Sequence, residues 1–122
     1  MTTINPRLAN LKRGDVVLVL FPNSNRTSAK PRPAVVVQRD NLQSGLPQVV
    51  VAMVTTQLFR AGHPSRVTIL RTSPAGIQSG FMHDSIVVTD NLATVYESAI
   101  DRIIGNLPMD EIDAALRHTL NL

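Results

Sequence analysis

The sequence predicts a mainly β protein: a small, strongly bent β-barrel of about six short strands with one helix at its C-terminus. Three observations lead there. Short β-branched, apolar runs recur along the chain, as in "DVVLVLF" and "VVVAMVTT". The polar links between them are too short to hold crossover helices, which argues against a parallel α/β fold. From Met109 onward the apolar spacing changes from strand-like to helical.

The elements follow in order. Residues 1–11, with Pro6 and Asn10 and no sustained period, are expected to form a flexible arm. Residues 12–122 are then one domain, since no repeat and no compositional shift divides them. The run from Asp15 to Phe21 is a first strand, closed by Pro22. "NSNRTSAK" is a polar loop of turn-formers, and "PAVVVQ" is a second strand. A third strand runs from Val49 to Thr56. Runs so continuously apolar suit strands covered on both faces or closed into a barrel. "QLFRAGHPS" reads as a flexible connection, and Arg66 to Leu70 as a strand of period two. "RTSPAGIQSG" is a turn region. Asp84 to Asp90 is a further strand, "YESAI" a helical turn, and "DRIIGNL" a last strand weakened by Gly105. In the final segment Ile112, Ala115, Leu116, Thr119 and Leu120 share a helical face. Pro108 stands at or before its first turn, Asp110 and Glu111 in that turn, and Arg117 and His118 in the last, as the helix dipole favours.

Composition excludes several functions. The chain has 122 residues and no cysteine, so disulfides, thiolate metal sites and cysteine nucleophiles are ruled out. No apolar run approaches the ~20 residues of a membrane span, and the first residues lack a secretory apolar core. A cytoplasmic setting is expected. There is no Gly-rich phosphate loop and no HExxH motif, and His63, His83 and His118 lack metal-ligand spacing. No metal or cofactor is expected. A net charge of +3 permits a polyanionic partner without requiring one.

Residues able to carry chemistry are few. "KPRPAVVVQ" sets Arg32 between Pro31 and Pro33 at the mouth of an apolar strand. Arg32 is either a rim residue paired with a carboxylate or a phosphate ligand. Its planar fork suits phosphoryl oxygens, and the prolines stiffen its mount. Thr55 and Thr56 close a strand, where they either serve β-propensity or offer a rim hydroxyl to a phosphate. His83, just before a strand, is a further candidate.

Taken in order, "RGDVVLVLF", "RPAVVV", "VVVAMVTTQ", "GFMHDSIVVTDNLATV" and "IIGNLPMDEIDAAL" resemble the MazF/PemK family of toxin ribonucleases. The resemblance runs from about Lys12 to Leu120, and its subgroup is that with an "FP" turn and a Ser/Lys-rich loop before "RPA". It implies an SH3-like barrel with a C-terminal helix, assembled as a homodimer. It implies metal-independent, sequence-specific cleavage of single-stranded RNA. The RNA's 2′-hydroxyl would attack phosphorus, leaving a 2′,3′-cyclic phosphate and a 5′-hydroxyl. A small acidic antitoxin would neutralise the toxin, and the pair would bind DNA. Arg32 and Thr55 match the family's catalytic arginine and threonine. Asp90 matches an aspartate that PemK-type members use as base, with Val88 where they carry an arginine; it can equally end a strand and accept turn N–H groups. The loop before "RPA" holds no acidic residue, where members often carry a glutamate. Arg26, Lys30, Thr56, Gln57, Phe59 and His83 are the expected RNA contacts, with Gln57 able to read a base or hold Thr55. Two other readings stand beside this one. The first is a catalytically weak or inactive dimer of the same fold that acts by binding protein, as CcdB-like toxins do. The second is a peptide-binding SH3-like module, which the poverty of aromatic residues disfavours.

Overall fold

A computed structural model of the chain describes residues 11–22 and 29–122. The expected arm therefore lies outside the described residues, except for Leu11, which packs against a core cluster. The elements are β1 (Asp15–Pro22), β2 (Ala29–Val36), β3 (Gln48–Thr55), β4 (Arg66–Ile69), α1 (Pro74–Ser79), β5 (Ser85–Tyr96), β6 (Ile100–Asn106) and α2 (Asp110–Leu120). Short 3₁₀ turns occupy Leu58–Arg60 and Glu97–Ala99.

The six strands form one sheet in the order β4-β5-β3-β2-β1-β6, with every pairing antiparallel. The mainly β character, the strand number and the C-terminal helix agree with the sequence. The barrel does not: β4 and β6 are free edges with no ladder between them. A flat sheet of this order is also impossible. β5 and β6 stand four ladder steps apart, roughly 19 Å if flat, yet only Glu97–Ala99 link them. The sheet therefore curls without closing. What prevents closure is α1. The chain leaves β4 after four residues and turns into this helix, whose backbone lies against β6. A Cβ on Gly105 of β6 would stand 2.4 Å from Gln78 O, and one on Gly80 would stand 2.3 Å from Ile104 O. Gln78 also donates from its side-chain amide to Asn106.

Alternation along the strands builds a core on each face. Val16, Val35, Ala52, Val67 and Val87 point towards α2, where they meet Ile112, Ala115 and Leu116. Val17, Val19, Ala34, Val36, Val49 and Val51 point to the other face and meet Val95 and Ile100. Ile112, Ala115 and Leu116 are the buried part of the helical face expected from the sequence, whereas Leu120 is exposed. Before β1, the turn at Arg13 and Gly14 fixes α2. Gly14 adopts φ +95°, a region that favours glycine. Its N–H bonds Val36 O, and its carbonyl accepts from Leu107 N–H. Arg13 pairs with Asp113 at 2.6 Å and donates from Nε to Val37 O. Among the described residues no helix is long and apolar enough to cross a membrane.

Three elements depart from the sequence expectation. β2 begins at Ala29, four residues before Pro33 and inside the expected loop. β5 runs on to Tyr96, six residues beyond Asp90. The supposed turn region contains α1, capped by Ser73, whose Oγ accepts from Gly76 N–H at 3.0 Å. Pro74 starts this helix and Gly80, at φ +78°, ends it.

Candidate functional site

β2 and β3 pair over only three residues. Ala34 faces Met53, Val35 faces Ala52, and Val36 faces Val51. The cause is in β2. Val37 donates its N–H to Val50 O, so with a period of two the N–H positions of residues 35 and 33 face the same flank. The next donor in that series is Pro33, which has none. On its other flank β2 pairs with β1 without a break through both prolines. Beyond Ala34 the two strands part into a fork. Continuing the register of the last pairs would set Arg32 directly opposite Thr55. Opposed residues share a face of a sheet, so both side chains lie on one side of the fork.

Both line one open cleft of about 580 Å³, together with Gln57, Arg60 and Asn91. Met53, Val88 and Ala93 form its apolar floor. The Arg32 side chain is exposed and forms no ion pair or hydrogen bond among the described residues, so the carboxylate partner of a rim residue is not found there. Thr55 Oγ1 accepts from Gln57 N–H at 3.1 Å. That bond uses a lone pair and leaves the hydroxyl proton to donate. Arg60 ends the 3₁₀ turn that follows β3, and its neighbour Phe59 is 81% exposed. Two guanidiniums, a directed hydroxyl and two side-chain amides over an apolar floor suit an anionic, base-bearing strand, while Phe59 stands outside the lining.

The remaining expected residues fall in different places. Lys30 lies two residues before Arg32 in β2, hence on the same strand face. Thr56 and His83 are exposed and do not line the cleft, and the His83 carbonyl accepts from Ser85 Oγ. Arg26 lies outside the described residues.

Asp90 does not line the cleft either. It binds the Arg66 guanidinium through both oxygens, at 2.9 Å from NH2 and 3.3 Å from Nε. The bond to Arg66 holds its pKa down to about 2, and the Arg66 pKa is raised by the same contact. The described lining thus contains no carboxylate and no imidazole.

Arg60 and Asn91 were not singled out from the sequence. Arg60 stands in the stretch "QLFRAGHPS", where a basic residue beside Phe59 was a visible signal. Asn91 had no such signal, because a β-bulge brings it to the cleft. The pairing of β3 with β5 slips between Ala52 and Met53, leaving residues 89–91 without partners on β3.

Comparison with known proteins adds a family. Residues 12–120 match the model of the PemK-like, MazF-like toxins of type II toxin–antitoxin systems. The chain is 30% identical to the endoribonuclease EndoA of Bacillus subtilis (strain 168) over 116 residues, 92% of this chain and 96% of that one. It is also 30% identical to the endoribonuclease MazF6 of Mycobacterium tuberculosis (strain H37Rv) over 107 residues, covering 84% and 90%. A solved mycobacterial endoribonuclease in complex with its cognate antitoxin shares the fold. The TM-score is 0.67 and the identity 20%, over 91% of this chain and 95% of that one.

Proposed function

This chain belongs to the PemK-like, MazF-like toxin family, and on that premise we propose that it is an endoribonuclease toxin that cuts single-stranded RNA in the fork between β2 and β3. The observation that carries the reading is the register that faces Arg32 with Thr55 across an open cleft. The scissile phosphate lies between them. The RNA's own 2′-oxygen forms the new bond to phosphorus and the P–O5′ bond breaks, giving a 2′,3′-cyclic phosphate and a 5′-hydroxyl.

Arg32 stabilises the charge that develops on the phosphoryl oxygens. It keeps its proton, so it acts as a stabiliser and not as a base. Thr55 donates its free O–H to a non-bridging oxygen. The reaction needs no metal, because the nucleophile is built into the substrate. The proton of the 2′-hydroxyl passes to solvent in this reading, and solvent returns one to the 5′ oxygen. The ion pair with Arg66 leaves Asp90 a weak base, which favours this route. Lys30 and Arg60 hold flanking phosphates, and Phe59 offers a face for stacking.

The toxin acts as a cytoplasmic homodimer. A small acidic antitoxin covers the basic cleft through a segment that folds on binding, and the pair binds DNA. The solved relative in complex with its antitoxin supports the first of these partners.

The test is incubation of purified protein with a long single-stranded RNA in EDTA, followed by mapping of both ends. Wild type is expected to leave cyclic phosphates and 5′-hydroxyls at a short preferred sequence. Arg32→Ala is expected to lose about 10²–10³-fold in rate. Intact RNA over a wide range of protein concentration would overturn the reading. The protein-binding member of the fold would then take its place.

A further inference from the structure

The bulge in β5 consists of Thr89, Asp90 and Asn91, and each residue has a different neighbour. Thr89 is buried. Its N–H and its hydroxyl both bond Ser65 O, at 3.0 and 2.5 Å. With that proton committed, Thr119 of α2 donates to Thr89 Oγ1 at 2.7 Å. Asp90 is held by the two bonds from Arg66. The third arm of the same guanidinium donates from NH1 to Arg60 O at 3.3 Å. Arg66 therefore ties the bulge to the 3₁₀ turn that carries Arg60 and Phe59. Asn91 alone of the three lines the cleft, and its amide makes no hydrogen bond among the described residues.

Arginines in the cleft bind phosphate without regard to sequence. An amide is different. It places one acceptor beside donors, the pattern a nucleobase edge answers. To discriminate, such a group must be held still, and the two bulge residues before Asn91 are anchored, Thr89 to Ser65 and Thr119 and Asp90 through Arg66 to Arg60. Gln57, the other lining amide, sits on the connection after β3, where its N–H is bound to Thr55 Oγ1 and its carbonyl to Arg60 N–H, outside the bulge that Arg66 braces.

We propose that Asn91 reads one base of the RNA and sets the sequence cut, with Arg66 and Asp90 as the positioning residues that aim it. The inference rests on the ribonuclease reading above and deepens it. The bond from Arg66 holds the Asp90 pKa down to about 2, so the carboxylate that braces the bulge is charged at neutral pH.

The experiment is cleavage of a random-sequence single-stranded RNA pool by full-length protein, with cut ends sequenced and melting temperatures recorded in parallel. Asn91→Ala is expected to lower discrimination at one position of the cut site by about tenfold. Asn91→Asp, which can only accept, is expected to shift that position towards guanine, whose edge offers adjacent N–H donors. Asp90→Asn and Arg66→Met are expected to blur the same position while the pH–rate profile keeps its shape. If Asp90→Asn instead removes a limb of that profile and leaves the preference intact, Asp90 is a base and the mount is wrong. If wild type cuts selectively and folded Asn91 variants keep its preference at every position, this inference falls and the ribonuclease reading stands. If wild type cuts no RNA, both fall.

Discussion

Thr55 has one hydroxyl with two roles to fill. Its lone pair accepts the N–H of Gln57, and its proton stays available to donate at the cleft wall. Thr55→Val keeps the shape and removes both functions. Single-turnover cleavage by that variant is expected to fall about 10²-fold, while Thr55→Ser keeps most of the rate. A rate unchanged in Thr55→Val would remove the residue from the chemistry. Asp90 illustrates what a sequence leaves unseen. Its position beside "VVT" was plain, but its partner Arg66 stands on another strand, 24 residues away. The sign of its shift follows from that partner. Folded Asp90 holds its proton less tightly than the unfolded chain. The pair therefore stabilises fully above the usual carboxylate range and weakens as pH falls towards 2. Arg32 was singled out by its flanking prolines and Thr55 by its place at a strand end, and the cleft holds both. Asn91 was not, since a bulge obeys no period.

At the scale of the element, Gly105 carries a clear instruction. As a residue of β6 it seemed only a weak point in a strand. The structure shows α1 seated against it, backbone to backbone. Gly105→Ala would drive a Cβ to within 2.5 Å of Ser79 O and Ser79 C, neither of which can swing away. The expected loss is about 1–3 kcal/mol. It would be read as a lower urea midpoint at constant m-value. An unaltered midpoint would mean that α1 does not press on β6. Most strands were read because each carries a β-branched, apolar run, with period two plain only from Arg66 to Leu70. The second half of β5 was missed because "NLATVY" mixes polar and apolar residues at a register slip. Helix α1 was missed although serine, proline and glycine stand at its two ends, because six residues are too few to show a period.

For the whole molecule, double-sided burial pointed to a closed barrel, and the two core clusters explain that expectation. Both faces are indeed apolar, but a helix stands where the last ladder would form. Closure depends on which edges meet, and that is settled by contacts distant in sequence. The fork between β2 and β3 has a similar origin and a further outcome. Pro33 acts as the stop on a zip fastener. With an N–H at that position the two strands could fasten past Ala34 and draw Arg32 onto Thr55, leaving no room for a phosphate. Pro33→Val is expected to protect the Val54 amide from hydrogen exchange and to lower cleavage by up to about 10²-fold. A variant that cuts normally with Val54 unprotected would refute this. A protein selected only for a complete sheet would have no use for that proline; on the proposed reading an unfinished sheet is the working part.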